Sequence, residues 1–236
     1  LLHTLWFLLL IAWFLGITLK IGWHTAERFI IEKSQIERKW AEESALNDVL
    51  FEVLNRGFKP AAEHDYSFNG QHFRVTVIPS HGFVDLNTGQ ANLLRQIAQR
   101  TGINLDSLLK LRSKEGAMRP MISDYAALNA QLGLASQQFA CIYPYVTLFS
   151  GRPSPLSQYM PDYLKKLLGR LHEESTSVIS SDNGFTLGDS LRIEVKPHPI
   201  QPTGYYLSAE ILLTGRLDTP FFIRAWQHLP QCQKEF

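Results

Sequence analysis

Leu1–Leu19 reads LLHTLWFLLLIAWFLGITL and contains no Asp, Glu, Lys or Arg. A helix over these residues would be about 28 Å long, close to the hydrocarbon thickness of a bilayer. Leu1, Leu5, Trp6, Leu10, Trp13 and Leu19 are typical of its apolar surface, and the clearly polar His3 and Thr4 sit at one end. Indole rings favour the membrane interface, which suits Trp6 and Trp23, while Trp13 falls mid-span. Gly16 is tolerated in a membrane helix. A secretory signal has a basic start, a shorter apolar core and a small-residue cleavage site. This run is long, opens on Leu rather than Met, has no basic start and is followed by no A-x-A site. A transmembrane helix is expected over 1–19, with a processed or trimmed start.

The helical pattern continues beyond the apolar run. From Lys20 to Arg56 there is no Pro, and the only Gly is Gly22. Apolar residues recur at Ala26, Phe29, Ile30, Ile36, Trp40, Leu46, Val49, Leu50, Val53 and Leu54, the spacing of one helix stripe. Arg28–Glu32, Lys33–Glu37, Arg38–Glu42 and Lys39–Glu43 are i,i+4 pairs of opposite sign, each adding a few tenths of a kcal/mol in the weaker, basic-first order. Gly57 is a natural stop, with Pro60 just beyond. Residues 1–56 read as one spine helix, lipid-facing over 1–19 and amphipathic over 20–56, with Trp40 and Leu50 expected against a sheet.

After Pro60 the period changes to two. Tyr66, Phe68, Phe73, Val75 and Val77 alternate with polar residues around Asn69-Gly70, a strong hairpin signal, so strands are expected near 64–68 and 71–78. Val84–Thr88 then leads into a helix over Gln90–Arg100. Further helices are expected over Leu105–Leu111 and over Met121–Leu132, the latter capped by Ser123 and stopped by Gly133. A second passage repeats the order of strand, polar loop, short helix and Gly. It comprises a strand over Tyr145–Phe149, a loop over Ser150–Pro155, and a helix over Tyr159–Leu168 with Pro161 in its first turn, closed by Gly169. Three alternating runs follow at Ser190–Lys196, Tyr205–Thr214 and Phe221–Gln227, separated by Thr203-Gly204 and Asp218-Thr219-Pro220. The fold class is α+β: a long N-terminal spine packed on an antiparallel sheet, with a head over 57–83 and 143–236 and a helical insert over 84–142.

The bulk numbers exclude several classes. The chain has 236 residues with a formal net charge of +1, which argues against coating nucleic acid by bulk charge. Apolar residues make up 45%, too many for a disordered chain. Two cysteines are too few for a disulfide-dense scaffold or a four-cysteine zinc site.

Three features resemble one family. Phe83-Val84-Asp85-Leu86-Asn87-Thr88 ahead of an apolar helix resembles the entry to the helical insert of the K-type minor pseudopilins of the type II secretion system. Tyr145-Val146-Thr147-Leu148-Phe149-Ser150-Gly151-Arg152-Pro153, followed by a Pro-started helix, resembles that family's strand, Ser-Gly-Arg loop and second helix. Most pseudopilins carry Glu at the fifth mature position and the K-type lacks it; taking Leu1 as the mature start, Leu5 stands there. The insert here is shorter than is usual in the family. The resemblance implies a pilin-like fold and no catalytic activity. It implies a tip subunit partnered by the I-type and J-type minor pseudopilins and the major pseudopilin. It also implies a methylated N-terminus, and a single span in bacterial inner-membrane lipid with the head in the periplasm. In such a compartment Cys141 and Cys232 are expected as a disulfide rather than two buried thiols, contributing roughly 3–5 kcal/mol.

Other chemistry is spelled only in fragments. Gly188-Asp189-Ser190-Leu191 matches the signature of a hydrolase family with Ser190 as nucleophile, but Ser190 enters a predicted strand and no Asp-x-x-His follows. His172-Glu173-Glu174 lacks the second His of a zinc-protease helix. Asp182, in Asp182-Asn183-Gly184, together with Asp189 could offer hard oxygen ligands to calcium, which the family resemblance also implies, although Asp-Asn-Gly is more often a plain turn. No other cofactor is expected. Gln99-Arg100-Thr101-Gly102-Ile103 has one Gly where a phosphate-gripping helical hairpin needs two, so no nucleic-acid partner is expected. Two alternatives stay open to the tip subunit: a single-span protein with a sensing or binding head, and an anchored hydrolase using Ser190.

Overall fold

The computed structural model describes residues 2–56, 63–112, 122–169, 188–199 and 204–232. The chain divides into two compact units, Leu1–Glu43 and Ser44–Phe236. One helix, α1 (Leu2–Arg56, 55 residues), crosses the boundary without a break. In the first unit it is exposed at Leu5, Trp6, Leu10, Trp13 and Leu19, and again at Phe29, Ile30, Ile31 and Ile36. Lys33–Glu37 and Arg38–Glu42 close as i,i+4 pairs at 3.8 and 2.9 Å.

Trp40 is a correction: it is 68% exposed, whereas Leu50 is 3% exposed. The buried residues near the end of α1 are Ala45, Leu46, Val49, Leu50 and Val53. Trp40 precedes Val49 by nine residues, which at 3.6 per turn is about half a turn out of phase. A stripe drawn from apolar character alone joins two different faces.

The second unit is built on a five-stranded sheet in the order β1-β2-β5-β6-β7, every neighbour antiparallel. Strands β1 (Glu63–Phe68) and β2 (Gln71–Pro79) form the expected hairpin. Its turn has Asn69 at φ 51° and Gly70 at φ 77°, the left-handed pair that a tight two-residue hairpin needs. Strands β5 (Ser190–Pro197), β6 (Tyr205–Leu213) and β7 (Phe221–Pro230) complete the sheet. Register aligns Val75, Val195 and Leu207 in one row and Val77, Ile193 and Ala209 in the next, all fully buried. The opposite face carries Ile78, Tyr206 and Leu229 and packs on the helices, which share one core from Ile78 to Leu229.

Between β2 and β5 lie β3 (Val84–Asp85), α2 (Ala91–Thr101), α3 (Leu105–Arg112), α4 (Tyr125–Leu132), α5 (Ser136–Ile142), β4 (Val146–Thr147) and α6 (Asp162–Leu168). Four details differ from the expectation. The cap of α4 is Asp124, accepting from the Ala127 amide at 2.7 Å, while Ser123 only donates to that carboxylate. Helix α5 is not expected from the sequence pattern; its start is held by the Gln138 side chain accepting from the Ala135 amide. The strand expected over Tyr145–Phe149 is two residues long, because a 3-10 turn takes Tyr143–Tyr145. Helix α6 starts after Pro161 rather than around it. Met121, Gly57, Pro60 and His172 lie outside the described residues.

Candidate functional site

Three features of the molecule bear on function: a membrane-length helix, a pair of interlocked loops, and a sealed polar cluster. Among the described residues α1 is the one helix long and apolar enough to cross a bilayer, and none of its most apolar stretch is buried.

The two passages that repeat in sequence are partners in space. Strands β3 and β4 pair in parallel, Val84 opposite Val146 and Asp85 opposite Thr147. Asp85 is 1% exposed and its carboxylate holds both loops. One oxygen accepts from the Asn87 amide at 2.8 Å and the Thr88 amide at 3.1 Å. The other accepts from the Gly151 amide at 2.7 Å. Thr88 Oγ1 donates to the Arg152 carbonyl, the Gln90 amide to the Pro153 carbonyl, and the Leu86 amide to the Thr147 carbonyl. Gly89 is required where it stands: a Cβ there would lie 2.3 Å from the Asp85 carbonyl oxygen. Asn87 extends the grip, donating to the Ile122 carbonyl and accepting from the Ile122 amide, while Arg112 donates to the Asn87 carbonyl. The Asp-Leu-Asn-Thr and Ser-Gly-Arg-Pro segments thus form one joint.

Behind this joint lies Arg192, fully buried on β5. It donates to the Tyr143 carbonyl at 2.7 Å, in the 3-10 turn before β4, and to the Val146 carbonyl at 2.5 Å, the first residue of β4. It pairs with Glu210 on β6 at 2.5 Å. Its guanidinium carbon sits 4.0 Å from the ring centres of both Phe83 and Tyr143. Glu210 also accepts from Tyr125 at 2.5 Å and from Thr147 at 2.9 Å, and Tyr143 shares a hydrogen bond with Ser208 at 2.9 Å. Burial, and then the Glu210 charge, push the Tyr125 phenol well above its ordinary range; burial does the same to Tyr143. The cluster is closed to solvent and its members are bonded to one another. Its chemistry is that of a clamp between helices and sheet, not of a reacting centre.

Cys141 in α5 and Cys232 beyond β7 are joined as a disulfide, with Cα atoms 4.8 Å apart. On the other side of the unit, a cleft of about 200 Å³ is lined by Asp48, Val49, Phe51 and Glu52 of α1 and by His64, Asp65 and Tyr66 of β1. Tyr66 donates to Asp48 at 2.6 Å, and that bond, with burial, pushes its phenol up to about 12.

The remaining sequence candidates scatter. Asp182 lies outside the described residues. Asp189 is 3.8 Å from His81 Nε2. Among the described residues no three His, Cys, Asp or Glu side chains are grouped so as to hold a metal. Ser190 opens β5, is 3% exposed, and its hydroxyl faces the Ile211 carbonyl at 3.5 Å. Arg192, Glu210, Tyr125, Tyr143 and the Asp85 carboxylate were not singled out by sequence. Opposite charges at matched places on two neighbouring strands were the available signal.

No protein-family model matches the chain, and no curated protein matches it in sequence. A chain of the crystal structure of the GspK-GspI-GspJ complex from the enterotoxigenic Escherichia coli type 2 secretion system is similar in structure. The identity is 11% and the TM-score 0.44, and the similarity covers 87% of this chain and 99% of that one.

Proposed function

We propose that the chain is a non-catalytic minor pseudopilin of the K type, which caps the tip of the type II secretion pseudopilus and supports protein export across the outer membrane. The carrying observation is α1, a single helix that runs unbroken from a membrane-length apolar stretch to residues buried in the core of the sheet-based unit. An anchor joined to an independent sensor or hydrolase needs no such continuity; a subunit that stands on its helix does. The likeness of Phe83–Thr88 and Tyr145–Pro153 to the family's segments supports the K type. The interlocking of these segments gives a physical reason for their appearing together.

On this reading α1 holds the protein in the bacterial inner membrane with the head in the periplasm. The I-type, J-type and major pseudopilins are its partners. The helices between β2 and β5 add bulk that blocks further subunits above. Taking Leu1 as the mature start, a Leu at the fifth position fits a first subunit, because an unpaired carboxylate in lipid is costly.

The test is on the precursor. The full-length gene is expressed with and without a prepilin peptidase, and the mature N-terminal mass is taken. Cleavage just before Leu1 that depends on the peptidase is the expected result. An uncleaved N-terminus, or loss of the whole apolar segment to signal peptidase, overturns the reading and favours a membrane-anchored binding head. Leu5→Glu is expected to impair assembly with the other pseudopilins.

A further inference from the structure

The two edges of the sheet are unlike. Edge β1 exposes Glu63, His64 and Asp65, with Arg74 3.7 Å from Glu63 and 3.2 Å from Asp65. A cluster of charges of this kind on an edge strand discourages another strand from docking. Edge β7 is the longest strand at 10 residues and carries one formal charge, Arg224, and no carboxylate. Phe222 is 49% exposed and Ile223 50%, and Leu217 just before them is fully exposed. No described strand pairs with the outer side of β7. Its one irregularity is a bulge at Arg224, which leaves registered residues on either side, 221–223 and 225–230. Among the described residues Arg224 has no carboxylate partner; its guanidinium carbon lies 5.2 Å from the Phe149 ring centre.

We infer that β7 is a docking edge for an extended segment of a partner protein. This segment adds as a sixth strand, with apolar residues against Phe222 and Ile223 and a carboxylate on Arg224. Strand addition takes affinity from the open main-chain groups and selectivity from alternate side chains. An exposed guanidinium on that strand favours a carboxylate, which it can bind with two parallel hydrogen bonds. The same charge argues against a second copy of this chain as occupant. Strand β7 has no acidic residue to offer, so self-pairing would leave both Arg224 side chains unmatched. The inference rests on the tip reading in one respect, that the head works in contact with other proteins.

The test uses the full chain in detergent micelles and two labelled synthetic peptides as long as β7. Both alternate valine and threonine; one has a central glutamate and the other a central lysine. The glutamate peptide is expected to bind at least about tenfold more tightly, equivalent to about 1.4 kcal/mol. Arg224→Glu should reverse the preference, and Ile223→Lys should weaken both peptides. Circular dichroism and the thiol count of each variant show that the fold is kept. Equal binding of the two peptides, binding of neither, or an unchanged preference in Arg224→Glu overturns the inference. So does concentration-dependent self-association abolished by Ile223→Lys, which would assign the edge to a second copy. The peptide preference needs neither a peptidase nor another pseudopilin, so this result and the cleavage result can fail independently.

Discussion

Arg192 and Glu210 form an ion pair with both side chains fully buried, Nη2 2.5 Å from Oε1. They sit opposite one another on β5 and β6, on the face that the helices cover. Two charges taken from water are costly, and their attraction repays that cost only when the remaining donors and acceptors are matched. Here they are: the guanidinium also meets two carbonyls, and the carboxylate also meets Tyr125 and Thr147.

Removing one partner leaves the other charge buried alone. Glu210→Leu is therefore expected to cost roughly 3–5 kcal/mol of unfolding free energy. Arg192→Met combined with Glu210→Leu should cost well under the sum of the two single changes. It should still cost something, because the Tyr143 and Val146 carbonyls lose their donor. Urea denaturation of the four proteins in one detergent measures this cycle, and strict additivity would refute the coupling.

Asp85 ties the two loops through three backbone amides, so Asp85→Asn replaces an acceptor oxygen with a group that cannot accept. The expected loss is about 1.5–3 kcal/mol, the range for hydrogen bonds to a charged group. The change should be local. Hydrogen exchange at the Gly151, Asn87 and Thr88 amides should accelerate, while the amides of β5 and β6 keep their protection. Uniform acceleration would show that the loops are not an independent joint.

Much of this architecture is legible in residue patterns, and the exceptions have identifiable causes. Asn69-Gly70 between alternating runs locates a hairpin because few residues adopt positive φ at two consecutive positions. Helix α5 is seven residues long with no polar N-cap residue, so it leaves no periodic signal. Arg192 and Glu210 alternate with Leu191, Ile193, Ala209 and Ile211, and alternation of that kind reads as a solvent-facing polar side. What reverses it is the helical layer inserted over one sheet face, a tertiary fact no local window contains. Trp40 illustrates the opposite error: a large apolar residue is assumed to be covered, and burial in fact follows helix phase.

The two faces of α1 predict unequal mutants. Leu50→Ala should cost about 2–5 kcal/mol, because Leu50 is 3% exposed and truncation leaves a cavity. Trp40→Ala should change stability by no more than about 0.5 kcal/mol, as is usual for exposed sites. Thermal unfolding of both in the same detergent decides it. A Trp40→Ala loss as large as that of Leu50→Ala would contradict the exposure of that side chain.

The disulfide spans 91 residues of sequence. Closing a loop of that size restricts the unfolded chain and is expected to contribute about 4–5 kcal/mol. Cys141→Ser with Cys232→Ser should lower the denaturation midpoint accordingly, and dithiothreitol should do the same to the parent but not to the variant. A parent insensitive to reductant, with two free thiols on a peptide map, would remove this contribution.

Tyr66 supplies a test at high pH. Its hydrogen bond to Asp48 holds the phenol at about 12, against 10.0 for a free one. The folded chain therefore keeps this proton to a higher pH than the unfolded chain does. The associated stability is whole below pH about 10 and is lost as pH rises toward about 12. The buried Tyr125, Tyr143 and Tyr206 are also raised, so the parent's alkaline decline is a sum. Tyr66→Phe should remove one part of it and flatten the curve between those values, and Asp48→Asn should bring the Tyr66 titration back toward its ordinary range. Phenolate absorption recorded beside denaturant midpoints at each pH reads both effects. An unchanged slope in Tyr66→Phe would mean that the bond between α1 and β1 does not bias the phenol in solution.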